Sequence, residues 1–109
     1  MSVDYYDRSG KKITAEECNA LLSSNDYRKV AHDTATDKDG KVVRVSTVWL
    51  GLDYSLHFHE SPIEIFETMA FSDGGRWDMF MMRHSTEKQA LEGHKMVLDK
   101  IRAESAVLN

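Results

Sequence analysis

The sequence predicts an α+β fold, an antiparallel sheet of about four to five strands with a short N-terminal helix and a long C-terminal helix packed on it. Three observations carry this expectation. Asp37-Lys38-Asp39-Gly40 and Ser72-Asp73-Gly74-Gly75 each separate two runs of β-branched, aromatic or thioether residues, and Asp-Gly and Gly-Gly supply what tight hairpin turns demand. Near the C-terminus, Leu91, His94, Leu98 and Ile101 recur at helical spacing, as in a helix that lays one stripe on a sheet. No Ser/Gly-rich or Pro-rich linker and no internal repeat divides the chain, so residues 1–109 read as a single domain.

Taken in order, Arg8-Ser9-Gly10 reads as the turn of a small hairpin between Val3-Asp4-Tyr5-Tyr6 and Lys11-Lys12-Ile13. Thr14-Ala15-Glu16-Glu17 has the form of a capping box, in which the Thr14 hydroxyl accepts from a free backbone N–H and Glu17 reaches back to the cap. A helix from about residue 15 to 23 follows, with Cys18, Leu21 and Leu22 on its inner face. Cys18 reads there as a small core residue, because nothing basic accompanies it to activate a thiolate.

Strands are expected over Tyr27 to Thr36 and Lys41 to Leu50, the second dense in Val42, Val43, Val45, Thr47 and Val48. Its even positions pass from Arg44 and Ser46 to Val48 and Leu50, so one face is wet near the turn and covered farther along. Glu64 to Phe71 shows no cleanly polar face and reads as a central strand. Arg76 to Arg83 contains the nearly continuous apolar run Trp77-Asp78-Met79-Phe80-Met81-Met82 and reads as a strand covered on both sides. Thr86 and Gln89 stand at capping-box spacing, and the last helix runs from there to about Ala103.

A chain of 109 residues suffices for one core, burying roughly 60–70% of its unfolded surface. With 14 basic and 18 acidic side chains, net charge −4, it lacks the Lys/Arg excess on which phosphate-backbone affinity rests, so nucleic acid is an unexpected partner. A single cysteine leaves no internal disulfide, and no apolar run approaches the roughly 20 residues of a membrane span. The start, Met1-Ser2-Val3-Asp4-Tyr5-Tyr6-Asp7, has neither the basic nor the apolar region of a secretory signal, and a cytoplasmic location is the expectation.

Three groups of residues are candidates for chemistry. His57-Phe58-His59-Glu60 puts two imidazoles on one side of an extended segment, a workable pair of metal ligands, but a site needs a third and fourth from elsewhere. The alternative reading is a polar loop closed by Ser61-Pro62. His94 follows Gly93 on the apolar stripe of the last helix. Glycine inside a helix costs about 1 kcal/mol against alanine, which implies a close neighbour, and His94 reads either as a satisfied buried histidine or as a general base. Glu67 lies in an apolar strand and is either a carboxylate poised for proton transfer or the partner of Arg76 or Arg83. No nucleotide-binding, nucleophile-elbow, metalloprotease or dithiol motif occurs, and no cofactor is implied. Trp49, Trp77 and the Met79 to Met82 run exceed what one face of a small sheet can bury, and the surplus points to a surface that binds a protein or a second copy.

At Ser46-Thr47-Val48-Trp49-Leu50-Gly51-Leu52-Asp53, at Ile65-Phe66-Glu67-Thr68-Met69 and at Ser85-Thr86 with Ala90-Leu91-Glu92-Gly93-His94, the chain resembles a group of small uncharacterised phage and actinobacterial proteins. Tyr5-Tyr6-Asp7-Arg8 through Ile13-Thr14 and Asp26-Tyr27-Arg28 fit the same pattern. Tyr54 to Glu60 and His84 depart from it. The resemblance implies a phage or prophage accessory protein, and whether it acts on host machinery is left open. The functional expectation is a non-enzymatic binding protein that engages another protein through an exposed apolar face of its sheet or through the 53 to 62 loop, with Trp49, Asp53, Trp77 and Met81 as binding residues. The competing one is a small hydrolase or metal-dependent enzyme whose His57, His59, Glu67 and His94 converge on one pocket.

Overall fold

The computed structural model describes residues 4–54 and 62–107. Its elements are β1 (Tyr5–Tyr6), β2 (Lys12–Ile13), α1 (Ala15–Leu22), α2 (Asn25–Arg28), β3 (Lys29–Thr36), β4 (Val42–Trp49), β5 (Phe66–Phe71), β6 (Met81–His84) and α3 (Glu87–Val107). Strands β3 to β6 form one antiparallel sheet in sequential order, and β1 pairs with β2 in a separate hairpin. The class is α+β, with α3 laid across one face of the sheet.

Local signals explain most boundaries. Thr14 caps α1 through a complete capping box with Glu17. At α3, Gln89 N–H donates to Thr86 Oγ1, but the Gln89 side chain reaches one residue farther back and accepts from Ser85 N–H. The strand expected from Tyr27 begins only at Lys29, because Ser24 accepts from Tyr27 N–H and holds residues 25–28 in one helical turn.

The largest correction concerns Arg76 to Arg83. Only Met81–His84 is strand. Gly74, Gly75 and Met79 all have positive φ, so the chain turns widely before pairing. Met79 N–H donates to Ala70 O while Ala70 N–H donates to Phe80 O, which places two residues opposite one in a β-bulge. The apolar run is therefore split rather than doubly covered. Phe80 and Met82 pack against the core while Met79 and Met81 are exposed.

Register sorts the side chains. Ala35 faces Val43, Val45 faces Ala70, Thr47 faces Thr68, and Trp49 faces Phe66, which in turn faces His84. These residues lie under α3, whose buried positions are Ala90, Gly93, His94, Val97, Leu98 and Ile101. Leu91, expected on that stripe, is exposed and Ala90 takes its place. Two apolar clusters result. One joins Ala35, Val43, Val45, Ala70 and Trp77 to Val97, Leu98 and Ile101. The other joins Trp49, Ile65, Phe66 and Ala90 to Cys18, with Tyr5, Tyr6, Ile13 and Tyr27 around it.

The N-terminal hairpin and α1 are fastened to the second cluster. The Trp49 indole N–H donates to Tyr6 O at 2.9 Å, and Tyr27 meets the Trp49 ring edge-on. Gly51 has φ +81°, and a Cβ there would stand 2.7 Å from Cys18 Sγ, so this glycine serves both the turn and the close approach. Arg8 donates to Glu87 Oε1 at 2.6 Å and to Tyr27 O at 3.0 Å, tying the hairpin to α2 and to the start of α3.

Candidate functional site

Between the two apolar clusters the covered face of the sheet is polar. Each strand contributes one residue, Asp33 from β3, Thr47 from β4, Thr68 from β5 and His84 from β6, and α3 adds His94. His94 Nε2 stands 2.7 Å from Asp33 Oδ2. Its Nδ1 stands 2.7 Å from Thr47 Oγ1. Thr47 and Thr68 hydroxyls are 2.6 Å apart, and Thr68 Oγ1 lies 2.9 Å from His84 Nε2. Three strand spacings, about 14 Å in all, are thus bridged by one line of hydrogen bonds.

For an ionised Asp33 and a neutral His94, one proton assignment satisfies the whole line. Asp33 can only accept, so His94 Nε2 carries the hydrogen and Nδ1 accepts from Thr47. Thr47 then accepts from Thr68, and Thr68 from the His84 Nε2–H. Every donor points from His84 toward Asp33. Burial pushes the His84 pKa down, which favours the neutral ring that this arrangement uses.

Gly93 makes room for the line. A Cβ on Gly93 would lie 2.4 Å from His84 Cε1, so the neighbour that its glycine implies is the His84 ring. His94 is a satisfied buried histidine.

Carboxylate, imidazole and hydroxyl follow one another at Asp33, His94 and Thr47 as in a nucleophilic triad. The chemistry does not follow, because Thr47 and Thr68 are completely buried and a nucleophile must reach its substrate. Asp33 alone of the five is open to solvent. What the line can do is position α3 on the sheet and fix its register, since each member satisfies the next.

Glu67 projects from the opposite face. It pairs across the strands with Arg83, whose Nε donates to Glu67 Oε2 at 3.3 Å. Glu67 and His94 are therefore separated by the sheet and do not converge, which corrects the expectation of a shared pocket. His57 and His59, with most of the 53 to 62 loop, lie outside the described residues. Among the described residues no group of three or more His, Cys, Asp or Glu side chains could hold a metal ion.

Two of the four expected binding residues are core. Trp49 faces α3 rather than solvent because it belongs to the odd, covered set of β4. Trp77 seals the other end of the core and donates its indole N–H to Glu104 Oε2 at 3.1 Å. Asp53 is half-buried and accepts from Glu64 N–H at 2.9 Å, holding together the two ends of the 54–63 connection. Met81 is 48% exposed. Burial also pushes the Cys18 thiol pKa up, away from a reactive thiolate.

Met81 lies on the face of the sheet turned away from α3. Register arranges that face in rows: Lys29, Val48, Glu67 and Arg83; His32, Ser46, Met69 and Met81; Thr34, Arg44 and Phe71; Thr36 and Val42. Val42 is 60% exposed, and Met69, Phe71 and Val48 are half-buried. Arg44 lies over the Phe71 ring and Arg83 over Tyr54. At one end α2 borders the face, where Asn25, Arg28, Lys29, Ser46 and Val48 line a shallow concavity of about 200 Å³.

Sequence reasoning missed Asp33, Thr47 and Thr68 as members of a buried line. The signal was present in β4, where Thr47 shares the odd positions with Val43, Val45 and Trp49. Comparison with protein-family models, with curated proteins and with solved structures returned no match.

Proposed function

We propose that the protein is a non-enzymatic binding module that engages another protein through the open face of its sheet, in the manner of a phage or prophage accessory protein working in a host cytoplasm. The observation that carries the reading is the composition of that face. Val42 and Met81 stand exposed there beside Met69, Phe71 and Val48, and clustered apolar side chains on a surface favour partner binding over solvation. Methionine suits this role, since its flexible thioether adapts to a partner's shape. The phage kinship rests on the sequence motifs alone. No helix among the described residues is long and apolar enough to cross a membrane.

Capture of host-lysate proteins on the immobilised chain tests the reading when run beside two variants. Met81→Asp places a charge on the open face and abolishes capture. Leu91→Asp, on the exposed flank of α3, leaves capture intact. Equal capture by wild type and Met81→Asp overturns the assignment to this face, as does a wild-type chain that retains nothing.

A further inference from the structure

The two halves of the open face differ in charge. Toward β5 and β6 it is apolar, with Glu67 already engaged by Arg83. Toward β3 and β4 it is basic: Arg28, Lys29 and Arg44, with the exposed His32, surround Ser46. None of these three cations takes part in an ion pair among the described residues; the same holds of Lys11, Lys38, Lys41, Lys88, Lys100 and Arg102, but those lie away from this face. Asp33 belongs to the covered face, and Asp26 on α2 bridges to neither Arg28 nor Lys29. A chain of net charge −4 thus gathers unpaired positive charge on one half of the face that its helices leave open.

Resting on the binding reading above, we propose that the occupant of this face is an acidic segment of a partner protein. Its Asp or Glu side chains meet Arg28, Lys29 and Arg44, and a neighbouring apolar side chain lies on Met69, Phe71 and Met81. Charge complementarity selects this occupant. A second copy seated face to face would bring the same three cations against Asp26, at the margin of the face, as the one carboxylate bordering it that has no ion pair among the described residues. Lys29 and Met69 lie two strand spacings and one row apart, so acid and apolar anchor in the partner are separated by about 12 Å. The acid supplies orientation and rate, and the apolar anchor supplies burial.

Selection from a displayed library of random peptides on the immobilised full chain tests this. Enriched peptides carry an excess of Asp and Glu over the input together with Leu, Phe or Met, and raised salt weakens them. Arg44→Glu and Lys29→Glu each weaken a selected peptide by at least about tenfold, and Met81→Asp abolishes its binding, at unchanged thermal midpoints. Lys29→Glu serves where Arg44→Glu fails to fold. Enriched peptides without an acidic excess, lost on Met81→Asp but kept on both charge reversals, overturn the acidic occupant and leave the binding face standing. Enrichment indifferent to all three variants, or none, overturns both. Single-stranded DNA of mixed sequence bound through Arg44, or a dimer dissociated by Met81→Asp, replaces the acidic segment with another occupant and overturns it as well.

Discussion

Beneath α3 the middle of the sheet is Asp33, Thr47, Thr68 and His84 with His94 above them, while on the opposite face the same strands offer Val42, Met69, Phe71 and Met81 to solvent. Burial alone would place these sets the other way round. The polar line lies between two apolar clusters that supply the burial, so it costs little so long as every member is paired. In return it specifies how α3 sits, because a helix shifted by one residue would lose the contacts of His94 to both Asp33 and Thr47. The open face is less closed: Glu67 pairs with Arg83 and Arg44 lies over Phe71, but Lys29 makes no ion pair among the described residues, and Val42 and Met81 stand exposed.

Substitution at the same depth of chemical change should separate the two faces most sharply at His94. His94→Ala removes a buried ring and leaves Thr47 without its acceptor, a loss of about 3 kcal/mol by cavity and hydrogen-bond terms together. Met81→Ser on the open face should stay within about 0.5 kcal/mol. Urea denaturation of both variants measures the difference, and comparable losses would break the contrast.

Next in size is Gly93→Ala. The added methyl meets the His84 ring at 2.4 Å, an overpacking cost of about 1–3 kcal/mol against roughly 1 kcal/mol regained in helix propensity. Net destabilisation is expected. In the background His84→Ala the same substitution becomes stabilising, since the ring is gone and the propensity gain remains. A double-mutant cycle in urea reads this reversal, and additivity would show that the ring does not explain the glycine.

On the open side the corresponding test is Met79→Gly. Met79 has φ 64° and is 64% exposed, so it holds a left-handed conformation that costs a non-glycine residue on the order of 1 kcal/mol. Glycine relieves this, and a gain of about 0.5–1 kcal/mol is expected in thermal or urea unfolding. A loss instead would mean that the Met79 side chain makes contacts worth more than its strain.

The sheet, the hairpin turn at Asp37 to Gly40 and the long helix were legible because hydrophobic periodicity and turn residues are local properties, whereas the wide turn after Phe71 was not. The capping box at Thr14 and the packing origin of Gly93 were legible for the same reason. The partner of Gly93 was not. His84 reads as a departure from the resembled pattern, and only the register of β5 against β6 carries it beneath α3. Trp49 and Trp77 were misplaced because a tally of large apolar residues says how many exceed one face and not which ones. Met81 fell on the exposed side through a bulge at Met79, and a non-glycine residue at positive φ has no sequence signature. Glu67 and His94 share a motif neighbourhood but emerge on opposite faces, a distinction that parity along the strand and docking of the helix decide together.

The gentlest perturbation of the covered face is acid. Burial pushes the His84 pKa below its ordinary value of 6.5, so between that value and the lower folded one the unfolded chain binds a proton that the folded chain refuses. Stability rises with pH wherever the unfolded state binds more protons. The contribution is therefore fully present above about pH 6.5, the ordinary histidine range, and is lost as pH falls through that range toward the folded value. The chain carries four other histidines, so the wild-type curve alone does not isolate the effect. His84→Asn removes the titrating group while keeping a donor for Thr68, and its thermal midpoint should fall less steeply on acidification than that of the wild type. The two curves should run parallel above neutrality and converge below it. Parallel curves throughout would mean that His84 titrates alike in both states, and that the closed line of hydrogen bonds under α3 does not hold its ring neutral.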